Sequence, residues 1–155
     1  MKVNLRYTVL LLPLSLSLSL PAAAFSNIDE NLPDAQALAQ LELRAQQAGP
    51  RDQCFLYTEL VHVMTEIAGK QMLDGDVDQA TASLRKVNDY AKLIHMDLSS
   101  NSKRVKNAEE LMHHTSYRLG EYLRKASNED RDTLQATLKQ LDQVHDELLA
   151  QVFKK

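Results

Sequence analysis

An all-α fold is what this sequence predicts beyond its first two dozen residues, and three observations predict it. Apolar residues recur every three or four positions through five successive segments. Ser, Asn or Asp stands near the start of most of those segments. Pro33, Gly49, Pro50 and Gly75 fall between segments, and only Gly69 and Gly120 fall within them. A 3.6-residue period bounded by caps and breakers marks amphipathic helices, and no stretch shows the alternation of a half-buried strand. Short connections make consecutive helices antiparallel neighbours by default. The expected architecture is therefore about five helices in an antiparallel up-and-down bundle or a short helical-hairpin stack.

The first helix is expected from Pro33 to about Ala48, with Leu38, Leu41, Ala45 and Ala48 on one face and Gly49-Pro50 as its stop. The second is expected from an N-cap near Asp52 to Leu73, with Leu56, Leu60, Val63, Met64 and Ile67 forming its stripe. Its opposite side carries Thr58, His62, Thr65 and Gly69, a small and weakly polar strip, and with Cys54, Phe55, Tyr57, Val61, Ala68 and Met72 it is apolar nearly all round. Such a helix is usually central and buried. The third starts at Asp76, which with Gln79 makes a capping box, and runs to about Leu98 through Ala80, Leu84, Val87, Ala91 and Ile94. Ser100, Asn101 or Ser102 caps the fourth, which presents Val105, Ala108, Met112, Thr115, Leu119, Tyr122 and Leu123. Ser127 or Asn128 opens the fifth, whose stripe is Leu134, Leu138, Leu141, Leu148 and Val152.

Ahead of these helices, Lys2 and Arg6 precede an apolar run from Thr8 to Leu20 and then Ala22-Ala23-Ala24. This is the pattern of a secretory signal peptide. The run is about 13 residues against the roughly 20 needed to span a bilayer core, so it addresses the chain and leaves no stable membrane anchor after cleavage. Cleavage is expected between Ala24 and Phe25. The expected organisation is a signal peptide over 1–24, a loose polar tail over 25–32 and one helical domain over 33–155, in a protein exported to a periplasm or secreted.

The full chain has 18 basic and 21 acidic residues, a net charge of −3, and loss of Lys2 and Arg6 makes the remainder more acidic still. That argues against nucleic acid as a partner, and the cluster Lys103, Arg104 and Lys106 lacks the interleaved aromatics that bind it. Cys54 is the only cysteine, so no intrachain disulfide can form. It reads either as a small buried apolar residue or as an intermolecular thiol. Met64, Met72, Met96 and Met112 read as core fillers within helices.

The stretch Ile67-Ala68, Gly75-Asp76, Ala80, Leu84 and Val87 resembles one tetratricopeptide helical hairpin, over about residues 61–94, with Gln71 and Met64 where that family carries aromatics. Gly75 suits a tight inter-helix turn and Ala80 a close helix approach. The resemblance implies a scaffold that binds peptides or partner proteins.

Two Glu-x-x-His spacings carry the sharpest chemical suggestion: Glu59 with His62, and Glu110 with His113. Ferritin-like bundles hold a metal pair with two such motifs facing the core. At 100° per residue, however, His62 lies nearly opposite the second helix's stripe, and Glu110 and His113 lie well off that of the fourth. A surface site using His113, His114 and Glu109 is the related alternative. His145 falls within the fifth helix's stripe and reads as a hydrogen-bonded core histidine or as a pH-sensitive or ligand-binding group. No Gly-x-Ser-x-Gly elbow or phosphate-binding glycine loop occurs. The expectation is a non-catalytic module that binds another protein or itself and needs no cofactor. A transition-metal bundle on Glu59, His62, Glu110 and His113, and a small-ligand carrier lined by Tyr57, Tyr90, Tyr117 or Tyr122, are its rivals.

Overall fold

The computed structural model describes residues 32–94 and 103–154. The expected signal peptide, its cleavage site at Ala24 and Phe25, and the tail up to residue 31 lie outside the described residues. So do His95, Met96, Asp97, Leu98 and the candidate caps Ser100, Asn101 and Ser102. The fold is all-α: α1 (Ala35–Gln47), α2 (Pro50–Leu73), α3 (Val77–Lys92), α4 (Lys103–Lys125) and α5 (Asn128–Val152), with no strand among the described residues. No described helix is long and apolar enough to cross a membrane.

Local chemistry sets most of the helix ends. The Asp34 carboxylate accepts from the Ala37 N–H at 2.7 Å to start α1, and the Asp76 carboxylate accepts from the Gln79 N–H to start α3. The Gln79 amide also donates to the Asp76 carboxylate at 2.6 Å, but the Asp76 N–H is bonded to the Gln71 carbonyl, so the expected capping box is only half formed; Ser127 caps α5 through the Asp130 N–H. Gly75, at φ +80°, closes the α2–α3 turn, a conformation that costs a residue with a Cβ.

Two boundaries differ from expectation. α2 begins at Pro50, with Gly49 as N-cap, rather than near Asp52. Proline at the first position gives up only an N–H that has no helical partner there, and Asp52 instead places its charge in the first turn. α3 ends at Lys92 rather than near Leu98. The Leu93 and Ile94 N–H groups bond to Tyr90 and Ala91, a tightened turn that keeps Ile94 buried, so the apolar spacing continues past the helix end.

Packing follows a closed circuit. α2 packs on α3 and α4, α5 packs on the same two helices, and α1 packs its backbone along α2 while its Glu42 reaches Lys86 and Tyr90 of α3. Gln71 donates to Gln79 and accepts from Ser83 near the turn while Tyr57 stacks on Tyr90 at the far end, so α2 and α3 are antiparallel, and Glu109 with His145 shows the same of α4 and α5. Between α2 and α4 the pairs are Asp52 with Arg104, His62 with Thr115, and Glu66 with Arg118, so these helices run parallel. The bundle is thus a stack of two antiparallel hairpins laid side by side. α3 and α4 occupy opposite corners and are consecutive without being neighbours. Ten residues, 93–102, separate them. A connection of that length can reach, at no more than about 3.3 Å per residue, well beyond the roughly 14 Å diagonal of helices packed about 10 Å apart.

The core lies along the shared axis, where Leu60, Leu84, Met112, Leu119, Leu134 and Leu141 are at most 2% exposed. Each such side chain contributes about 1.5–3 kcal/mol by leaving water. α2 has partners on three sides, so its small strip is buried as well: Thr58 and Thr65 are fully covered and donate to the carbonyls of Cys54 and Val61, one turn back. Cys54 takes the apolar reading. It is 2% exposed, and burial pushes its thiol up to about 11, so an intermolecular disulfide would require α2 to open first.

Candidate functional site

Three polar features interrupt this apolar frame. The first is a groove of about 400 Å³ bounded by the C-terminal half of α1 and the beginnings of α2 and α4. Its lining alternates in charge: Arg44 from α1, Asp52 and Glu59 from α2, and Arg104 from α4, around Phe55, Leu56 and Ala48. The Arg104 guanidinium bonds Asp52 at 3.0 Å and lies 5.3 Å from the centre of the Phe55 ring, so it is held against an apolar wall. Burial pushes the Glu59 carboxyl above its ordinary value, although Arg44 and Arg104 pull it down. α1 itself is tied by Gln53 to the Ala45 carbonyl and by Tyr90 and Lys86 to Glu42.

The second feature is a polar seam between α2 and α4. Arg118 grips Glu66 with two bonds, at 2.8 and 2.9 Å. The Tyr122 hydroxyl donates to Glu66 at 2.6 Å and accepts from Arg118 at 2.7 Å. Its ring lies over Gly69 so closely that a Cβ there would come within 3.0 Å of three ring carbons. Burial alone would raise Glu66, but the Arg118 and Tyr122 hydrogen bonds outweigh it and hold the carboxyl below its ordinary value. Burial, and after it Glu66, push the Tyr122 phenol up to about 12 against a smaller opposing pull from Arg118. One turn back, His62 Nδ1 stands 3.0 Å from Thr115 Oγ1. Thr115 spends its proton on the Leu111 carbonyl at 2.7 Å, so His62 Nδ1 is the donor. Burial holds His62 below its ordinary value.

The third feature is the grouping of the four described histidines into two ring pairs. His62 and His114 lie 5.5 Å apart between centroids across the α2/α4 contact, and His113 and His145 lie 5.1 Å apart across the α4/α5 contact. His145 is satisfied by Glu109 at 2.9 Å rather than by its sequence neighbours Asp142 and Asp146.

The four residues of the Glu-x-x-His expectation do not converge. Glu59 lines the groove, His62 sits in the seam, Glu110 is exposed and pairs with Lys106 at 3.7 Å, and His113 faces His145. No three His, Cys, Asp or Glu side chains among the described residues stand together as a metal set. The expected tyrosine-lined pocket is dispersed too: Tyr57 stacks on Tyr90, Tyr122 belongs to the seam, and Tyr117 is 62% exposed. The groove, Glu66 and Arg118 were absent from the sequence expectation. Gly69, a helix-weakening residue in the middle of α2, was the one signal that something large approaches there.

No family model, curated protein or solved structure matches the chain.

Proposed function

We propose that this chain is an exported, non-catalytic interaction module, acting in a periplasm or outside the cell, whose α1/α2/α4 groove binds a segment of another protein. The observation that carries the reading is the groove lining: two guanidiniums and two carboxylates set around Phe55 and Leu56 on three helices. Arg44 makes no ion pair among the described residues, and Arg104 is pre-positioned against Phe55. Aromatic and arginine side chains in a concave, part-apolar site are the usual anchors of protein recognition. The signal-peptide pattern supports export, and the tetratricopeptide-like hairpin supports a scaffold role. Self-assembly through the same groove is the competing occupant.

The test is site-specific photo-crosslinking in the producing cell, with the crosslinker at Gln47 in the groove or at exposed Lys139 on α5 as control. A discrete adduct from Gln47, absent from Lys139 and lost in Arg44→Glu while helicity is retained, is the expected result. An adduct of twice the protein's own mass would assign the groove to self-assembly. Equal labelling from both positions, or none from Gln47, would remove the groove as the interaction site.

A further inference from the structure

The α4/α5 contact carries a second site, independent of the groove. We propose that His113 and His145 form an open two-imidazole site for a divalent transition-metal ion, with Glu109 as the group that orients His145.

Glu109 and His113 are four residues apart on α4 and share its α5-facing side, where His145 meets both. The pair Glu110 and His113, three apart, does not share a partner: Glu110 is exposed and bonded to Lys106. The metal-ligand pattern therefore closes across helices rather than along one.

Two imidazoles bonded to one ion at about 2.0–2.1 Å with near-tetrahedral angles have ring centroids about 5 Å apart. The His113 and His145 centroids stand 5.1 Å apart, their planes inclined at 43°. The observed separation is therefore the one that two imidazoles sharing an ion would have.

A carboxylate only accepts, so His145 Nε2, 2.9 Å from Glu109 Oε1, carries the proton in that bond. In the neutral ring Nδ1 is then bare and available as a ligand. A carboxylate that bonds the far nitrogen of an imidazole fixes its tautomer and orientation and raises its basicity, the arrangement that supports histidine ligands in metal sites. The His145 and Glu109 side chains are only 17% and 16% exposed, which limits their freedom. His113 is exposed and leaves the ion a way in.

With no third protein ligand among the described residues, the remaining positions go to water or to a group from another molecule. Two imidazoles suit Zn²⁺, Ni²⁺ and Cu²⁺, with Cu²⁺ held tightest on general affinity grounds.

Calorimetric titration of the chelator-stripped full protein with ZnCl₂ tests the site. One Zn²⁺ per chain is expected. His113→Ala, at an exposed position that spares the fold, is expected to weaken binding at least tenfold, as is His145→Ala. Glu109→Gln is expected to weaken it by about 10–100-fold, the usual effect of losing such an orienting carboxylate. His62→Ala and His114→Ala are expected to leave binding unchanged. The ring protons of His113 and His145 should shift together in NMR spectra when Zn²⁺ is added. Absence of Zn²⁺ binding overturns the proposal. So does binding that survives His113→Ala, or that is lost in His114→Ala instead, which would move the site to the His62/His114 pair.

Discussion

Replacing Gly69 by alanine sets helix propensity against packing, and the two predict opposite signs. Glycine inside a helix is about 1 kcal/mol less favourable than alanine, so propensity alone predicts stabilisation. At Gly69 the added Cβ would press into the Tyr122 ring, which is 7% exposed and pinned through its hydroxyl by Glu66 and Arg118. Displacing a buried ring costs about 1–3 kcal/mol in overpacking. Loosening a hydrogen bond to a charged group costs about 1.5–3 kcal/mol more. The net expectation for Gly69→Ala is a loss of about 1.5–5 kcal/mol. Gly120, within α4, is the internal control, because a Cβ there would meet only the Arg124 guanidinium at 4.0 Å. Gly120→Ala should gain up to about 1 kcal/mol. Urea unfolding followed by circular dichroism measures both. In a Tyr122→Ala background the Gly69→Ala change should reverse sign, since the obstacle has gone. A Gly69→Ala protein as stable as its parent, or one equally destabilised in both backgrounds, would refute the seam packing.

Three further outcomes are expected. Glu66→Gln should lose about 1–3 kcal/mol near neutrality, because the charge that Arg118 and Tyr122 hold is removed. Glu66 is held below its ordinary value of 4.5, so its contribution is complete above that pH and disappears as pH falls through the lower folded value; unfolding midpoints in that acid range should be less pH-dependent in the variant. Cys54, with its thiol near 11, should alkylate at pH 8 at least about 100-fold more slowly in the folded protein than in urea, and rapid labelling of the native form would contradict its burial. Leu60→Ala, at a site with no exposure on the central helix, should destabilise by about 2–5 kcal/mol in the same urea assay, and a loss below 1 kcal/mol would contradict that placement.

The helices were legible because each states its own period, and two state their start as well: Asp76 and Ser127 cap α3 and α5 where the sequence places them, whereas the cap expected at Asp52 gave way to Gly49 and Pro50. The central place of α2 was legible too, since Thr58, Thr65 and Gly69 leave no purely polar side. Partner choice was not. Periodicity says which face of a helix is apolar but not which helix covers it, and the placement of α3 and α4 at opposite corners leaves no local trace. The same limit applies to the sites. Arg44, Asp52, Glu59 and Arg104 lie on three helices and read one at a time as surface charges. Glu66 and Arg118 are 52 residues apart and carry no motif. The Glu-x-x-His spacing misdirected because His113 meets its partner on α5, and the acidic residue that serves that pair is Glu109, one position before the motif.

The α2/α4 seam also answers a question that an oily contact leaves open. Two parallel helices joined by leucines alone could slide past one another by a turn, about 5.4 Å, and bury nearly the same area. Here His62 meets Thr115, Glu66 meets Arg118 and Gly69 meets Tyr122 at nearly constant separations of 52 or 53 residues. A one-turn slip would drive the Tyr122 ring off its glycine and leave the Glu66 carboxylate without its guanidinium. The seam works as a vernier: the apolar core supplies the adhesion between the two hairpins, and two polar pairs and one ring seated on a glycine select the one register in which they mesh.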